Sequence, residues 1–126
     1  MEKEFCWTLE NVLKQNPISP DEKAKWFWFK GGICGTANLV QVRGGERIKT
    51  HIHKDHDEFI YNLRGECEFK AANATRKVGP GDFLIIPAGT VHGLQVISDG
   101  AVLLSIYAPF YAADPDFDRV LVEEKK

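Results

Sequence analysis

The chain has 126 residues, 44% hydrophobic and 27% charged, with a formal net charge of −2. This is the size of one domain with enough apolar material for its own core, so folding need not depend on disulfides or a structural metal. Acids and bases are intermixed with no basic stripe, which argues against a nucleic-acid partner, and no run of about 18 apolar residues is present to make a membrane-spanning helix.

In chain order, Met1 to Trp7 carries charges of both signs and no long apolar stretch, and is expected not to be a secretory signal. Trp7 to Lys14 suits either a short helix or a strand. Ser19-Pro20-Asp21-Glu22 has the form of a capping box with proline at the first helical position, so a short helix is expected there. The aromatic run Trp26-Phe27-Trp28-Phe29 favours a strand. Both faces of that strand would be apolar, so one must find cover outside a single sheet. Core packing and a subunit interface are the two readings.

After Gly31-Gly32 short apolar or alternating runs recur at Ala37 to Arg43, Ile48 to His53, Glu58 to Leu63, Glu66 to Ala71, Phe83 to Ile86, His92 to Ile97 and Val102 to Tyr107. Glycine, proline and polar clusters separate them. This pattern predicts an all-β sandwich or barrel and disfavours a parallel α/β sheet. The charged segment from Asp114 to Lys126 is expected to wrap the surface, fray or form a short helix. The cysteines Cys6, Cys34 and Cys67 are odd in number and contain no Cys-x-x-Cys pair, so a disulfide framework or structural zinc site is disfavoured. Reduced thiols and a cytoplasmic location are expected.

The chemistry concentrates in four residues. His51 and His53, two apart on a strand, project from the same face. Lys54-Asp55-His56-Asp57 reads as a turn, after which a second strand is expected to start at Glu58 and run antiparallel to the first. His92 opens a later strand directly after the turn Pro87 to Thr90. Three imidazoles and one carboxylate suit a divalent transition metal with a position left open. Other readings remain beside this one. The histidines could be solvated strand residues, and Glu58 could orient a histidine rather than bind the metal. His56, in the polar turn, is expected to be solvent-exposed, with guarding the pocket entrance as its alternative. Cys34 and Cys67 are either buried structural thiols or cavity lining. Arg47, Lys49, Tyr61 and Arg64 are candidates to recognise an anionic ligand, with their direction left open.

The stretch Gly45-x5-His51-x-His53-x4-Glu58-x6-Gly65 resembles the first motif of the cupin superfamily, and Gly81-x5-Pro87-x-Gly89-x2-His92 resembles the second. The chain departs from the pattern at Val96, where the family often has asparagine; that position is not a ligand. Tyr107-Ala108-Pro109-Phe110 is similar to the way small single-domain cupins leave their last barrel strand. The resemblance implies a double-stranded β-helix, or jelly-roll barrel, with short terminal extensions: an N-terminal extension over 1–30, the barrel over 31–112 and a tail over 113–126. It also implies one divalent metal (Fe, Mn, Ni, Zn, Co or Cu) on His51, His53, Glu58 and His92. Independently of the family, Gly65, Gly81 and Gly89 sit where tight turns call for positive φ or close backbone approach.

Such a site supports a metal-dependent enzyme acting on a small organic molecule inside the barrel, as a dioxygenase or as an isomerase or lyase. The alternatives are a non-catalytic barrel that binds or senses a small ligand, and a metal-free barrel in which the histidines contact the ligand directly. No Ser-His-Asp arrangement, phosphate loop or dinucleotide fingerprint competes as a source of chemistry. A homodimer using the Trp26–Phe29 segment is the expected assembly.

Overall fold

Alternation of apolar and polar side chains organises the chain from Ala24 onward, and each alternating run becomes a strand. The structure, a computed structural model, describes residues 6–30, 35–109 and 119–122. Among the described residues one short helix, α1 (Leu9–Gln15), precedes the strands. Thr8 caps it, its hydroxyl accepting from the Asn11 N–H, and Glu10 in its first turn complements the helix dipole. The strands are β1 (Ala24–Phe29), β2 (Thr36–Arg43), β3 (Arg47–His53), β4 (Asp57–Arg64), β5 (Cys67–Ala71), β6 (Ala74–Val78), β7 (Phe83–Ile86), β8 (His92–Val96), β9 (Gly100–Ala108) and β10 (Arg119–Leu121). They form two antiparallel five-stranded sheets, in the order β1-β2-β9-β4-β7 and β10-β3-β8-β5-β6. This is the expected jelly roll. The inward side chains of both sheets make one core around Val40, Val42, Ile60, Phe69, Val96 and Leu103. Burying each such side chain contributes roughly 1.5–3 kcal/mol before entropy is counted.

Several expectations are corrected. Ser19 to Glu22 forms a turn that leads straight into β1 without a helix. Half of the capping box survives: the Glu22 carboxylate accepts from the Ser19 N–H at 2.9 Å. Strand β4 does not pair with β3. The turn between them crosses from one sheet to the other, and β4 pairs with β9 and β7. Two further strands appear, β6 and β10; the second lies in the terminal segment expected to wrap, fray or form a helix. Cys34 and Phe110 lie outside the described residues.

The aromatic run of β1 divides by parity. Trp26 and Trp28 face the barrel interior and line its cavity. Phe27 and Phe29 face outward, where Phe29 meets the Trp7 ring edge-on at 5.1 Å. Among the described residues, no helix is long and apolar enough to cross a membrane.

Candidate metal centre

The four sequence-predicted ligands converge. His51 and His53 come from the end of β3, His92 from the start of β8, and Glu58 from the start of β4 in the opposite sheet. One candidate ligand atom from each residue lies within 4.8 Å of all the others, and all four side chains are buried. His51 and His92 are direct cross-strand partners, with ring centroids 4.3 Å apart.

Local irregularities in the strands aim these groups. Between Ile48 and His51 the β3–β8 register shifts: Ile48 faces Leu94 and His51 faces His92, so two residues of β3 oppose Gly93 alone. Such a bulge changes the parity of the strand. Both Ile48 and His51 therefore line the interior, although they stand three positions apart on the strand. Gly93 permits this: a Cβ there would come within 3.0 Å of the Ile48 carbonyl oxygen and 3.2 Å of Thr50 backbone atoms. The turn before β8 then fastens the ligand-bearing ends together. The Ala88 N–H donates to the Asp57 carboxylate at 2.8 Å, next to Glu58, and the Gly89 N–H donates to the His53 carbonyl at 2.8 Å.

The hydrogen bonds also fix the imidazole tautomers. A backbone carbonyl only accepts, so His51 Nδ1, 2.6 Å from the Lys49 oxygen, and His92 Nδ1, 2.9 Å from the Thr90 oxygen, both carry hydrogen. Their Nε2 atoms are left to face the cluster, as an orienting carbonyl arranges in metal-binding histidines. Burial lowers the His51 pKa to about 4, and the neighbouring His92, His53 and Arg119 charges act in the same direction against the Lys49 hydrogen bond. His51 is thus a neutral imidazole with its lone pair ready. His92 goes the other way. Burial lowers its pKa, but the hydrogen bond and charge of Glu58 outweigh that and hold it above the ordinary value. Its Nε2 donates to Glu58 Oε1 at 3.0 Å, and His53 Nε2 lies 3.6 Å from the same oxygen. Burial raises the Glu58 pKa, but the hydrogen bond from His92, the His92 and His53 charges and the Ser105 hydroxyl bring it below the usual carboxylate value. The donor set therefore fits a divalent transition metal: three imidazoles and an ionised carboxylate on one point, with two ring orientations held by carbonyls. Uptake of such a cation requires His92 to give up its proton.

The four residues sit in a cleft of about 580 Å³ of atom-free space, counted out to its open mouth. Its walls are mostly apolar, with Trp26, Trp28, Ile48, Ile60, Phe69 and Leu103 among them, and its polar groups besides the cluster are Ser105, Tyr107 and Arg119. The Tyr107 ring lies 5.1 Å from His53. Ser105 and Tyr107 are not singled out by the sequence reading; the alternation of β9 is the signal that would find them as an inward pair. Arg119 had no local signal. The residues weighed for anion recognition are elsewhere: Arg47, Lys49, Tyr61 and Arg64 are all exposed, and Arg64 pairs with Glu10 of α1. His56 corrects the expected exposure. It is 3% exposed and outside the four-residue cluster, because the segment carrying it crosses between sheets. Cys67 is wholly buried in the core, which pushes its thiol up to about 11, and it does not line the cavity. Val96, at the position of the family's frequent asparagine, is core, 1% exposed.

Comparison with known proteins agrees with this geometry. A family model described as a cupin domain matches residues 38–107. The chain belongs to the cupin family. A quercetin 2,3-dioxygenase of Bacillus subtilis is 33% identical over 72 residues, which cover 53% of this chain and 21% of that protein. Protein SchB of Streptomyces halstedii is 30% identical over 94 residues, 75% of this chain and 68% of that one. The chain therefore spans about a fifth of the first relative and about two thirds of the second. Among solved structures, a conserved protein with a double-stranded β-helix domain from Klebsiella pneumoniae superposes with a TM-score of 0.77 at 17% identity, covering 97% of this chain and all of that one. That likeness concerns the fold.

Proposed function

We propose that this cupin is a metal-dependent enzyme that acts on a small organic molecule bound in the barrel, with a dioxygenase reaction or an isomerase or lyase reaction as its chemistry. The observation that carries the reading is the convergence of His51, His53, Glu58 and His92 on one point inside an open-mouthed, largely apolar cleft. In this reading the four side chains hold one divalent cation, from among Fe, Mn, Ni, Zn, Co and Cu. When bound, the cation supplies Lewis acidity, and with a redox-active metal it supplies a place where dioxygen and substrate meet.

The residues of the chain do the rest. The carbonyls of Lys49 and Thr90 keep two imidazoles turned inward. Ser105 holds the Glu58 carboxylate by a hydrogen bond, which fixes its charge and direction. Trp26, Trp28 and Phe69 offer flat apolar walls to the body of a substrate and keep water from that side. The similarity to a quercetin dioxygenase over 72 residues supports the oxidative branch. A non-catalytic ligand-binding barrel is the second reading, favoured by the same largely apolar cleft. Turnover separates them. Metal-loaded protein is screened against small organic molecules under air and under nitrogen. Metal-dependent product formation or oxygen consumption is expected, and saturable ligand binding with no product from any bound compound would contradict the enzymatic reading.

A further inference from the structure

Arg119 is the one arginine or lysine that lines the described part of the cavity. It stands on β10, directly opposite His53 in the β10–β3 register, with Leu121 opposite His51. Direct cross-strand partners project from the same face of a sheet. Arg119 therefore shares the inner face of β3 with the two histidines. Its backbone belongs to the β10–β3 ladder, but among the described residues its guanidinium has no hydrogen-bond or ion-pair partner. The cavity's carboxylate, Glu58, is engaged by His92 and His53 instead. A guanidinium on the cavity wall, beside a cluster that would carry a divalent cation, gives the pocket an excess of positive charge that its described lining residues do not balance. Its fork of donors matches a carboxylate. The walls around it, Trp26, Trp28 and Phe69, match a flat apolar body.

We propose that Arg119 is a substrate-recognition residue, and that the cavity takes an organic acid whose carboxylate pairs with Arg119 while its apolar body lies between the tryptophan and phenylalanine walls. This rests on the metal-enzyme reading for its location only, since the pairing needs Arg119 and the walls. The terminal strand, remote in sequence from both histidine motifs, would then set ligand class while β3, β4 and β8 hold the metal.

The test titrates ¹⁵N-labelled, zinc-loaded protein with benzoate and with its neutral isostere benzamide, following the indole N–H signals of Trp26 and Trp28, with Trp7 as internal control. Zinc content is measured alongside. Wild type is expected to bind benzoate at least about tenfold more tightly than benzamide. Arg119→Gln loses that preference, Arg119→Lys keeps part of it, and both retain the wild-type zinc content. Equal affinity for the two probes in wild type, no shift of the Trp26 and Trp28 signals with benzoate, or an unchanged preference in folded Arg119→Gln would each overturn the proposal. A wild type that holds no zinc but still prefers benzoate would keep Arg119 and remove the metal reading instead.

Discussion

His51 and His92 face each other across two strands yet respond to burial in opposite ways, and the difference lies in their neighbours. Burial, with the nearby His92, His53 and Arg119 charges and against the Lys49 carbonyl hydrogen bond, holds the His51 pKa near 4. His92 meets a carboxylate, so it keeps its proton above the usual pH. A buried histidine with a depressed folded-state pKa contributes stability that is fully present above the ordinary imidazole value of 6.5 and is lost as pH falls toward about 4. His92 has the opposite sign: its contribution is complete at low pH and is lost as pH rises through its raised value. Between about pH 7 and about pH 5, above the carboxylate range, metal-free wild type should therefore lose more stability than His51→Gln. Urea midpoints at the two pH values measure this, and parallel losses would contradict it. At this scale the ligand set was legible because two motifs fix four residues by spacing. Arg119 was not, because its role depends on which strand β10 joins, and no short spacing encodes that.

The elements show a similar division. The strands read from sequence include β2, β4 and β9, along which buried and more exposed positions alternate for most of their length. Strand β6 buries only Val78, and β10 buries none of its three residues, so neither leaves an apolar period to read. The sequence does not say that β4 joins the sheet opposite β3, because a polar turn of this length serves a hairpin and a crossover between sheets equally well. The turn before β5 was anticipated correctly, and its constraint is tight. Gly65 has φ +80°, and a Cβ there would lie 2.0 Å from the Gly100 carbonyl oxygen. Gly45 has a similar φ of +78° with open space around it. Gly65→Ala should therefore cost about 2 kcal/mol or more, and Gly45→Ala about 1 kcal/mol, the conformational part alone. Denaturant unfolding of the two variants checks the ranking, and equal costs would show that the close approach to Gly100 is relieved without strain.

For the whole molecule, the decisive feature is that the two faces of one sheet have different work. The inner face of β1-β2-β9-β4-β7 carries Glu58, Ser105, Tyr107 and the two tryptophans of the cavity. The outer face carries two rows that cross all five strands: Phe29, Ala37, Ile106, Phe59 and Ile85, and beside them Phe27, Leu39, Leu104, Tyr61 and Phe83, of which Leu39 is already buried within the chain. Trp7 meets Phe29 at the β1 end, while Phe83 and Ile85 at the β7 end are 56% and 58% exposed. We propose that this face joins two copies of the chain, a wider surface than the Trp26–Phe29 segment read from sequence and one that includes its outward phenylalanines. Sedimentation should show a dimer at micromolar concentration and a monomer for Ile85→Asp with cleft and metal content intact. A monomeric wild type would remove the proposal. The barrel, the four buried ligands and the cavity all meet in the claim that this chain holds a metal at one defined point, and metal content tests that most directly. After dialysis against a trace of zinc at neutral pH, wild type should carry about one equivalent per chain and folded His53→Ala far less. Equal metal in both proteins, or none in wild type, would contradict the account.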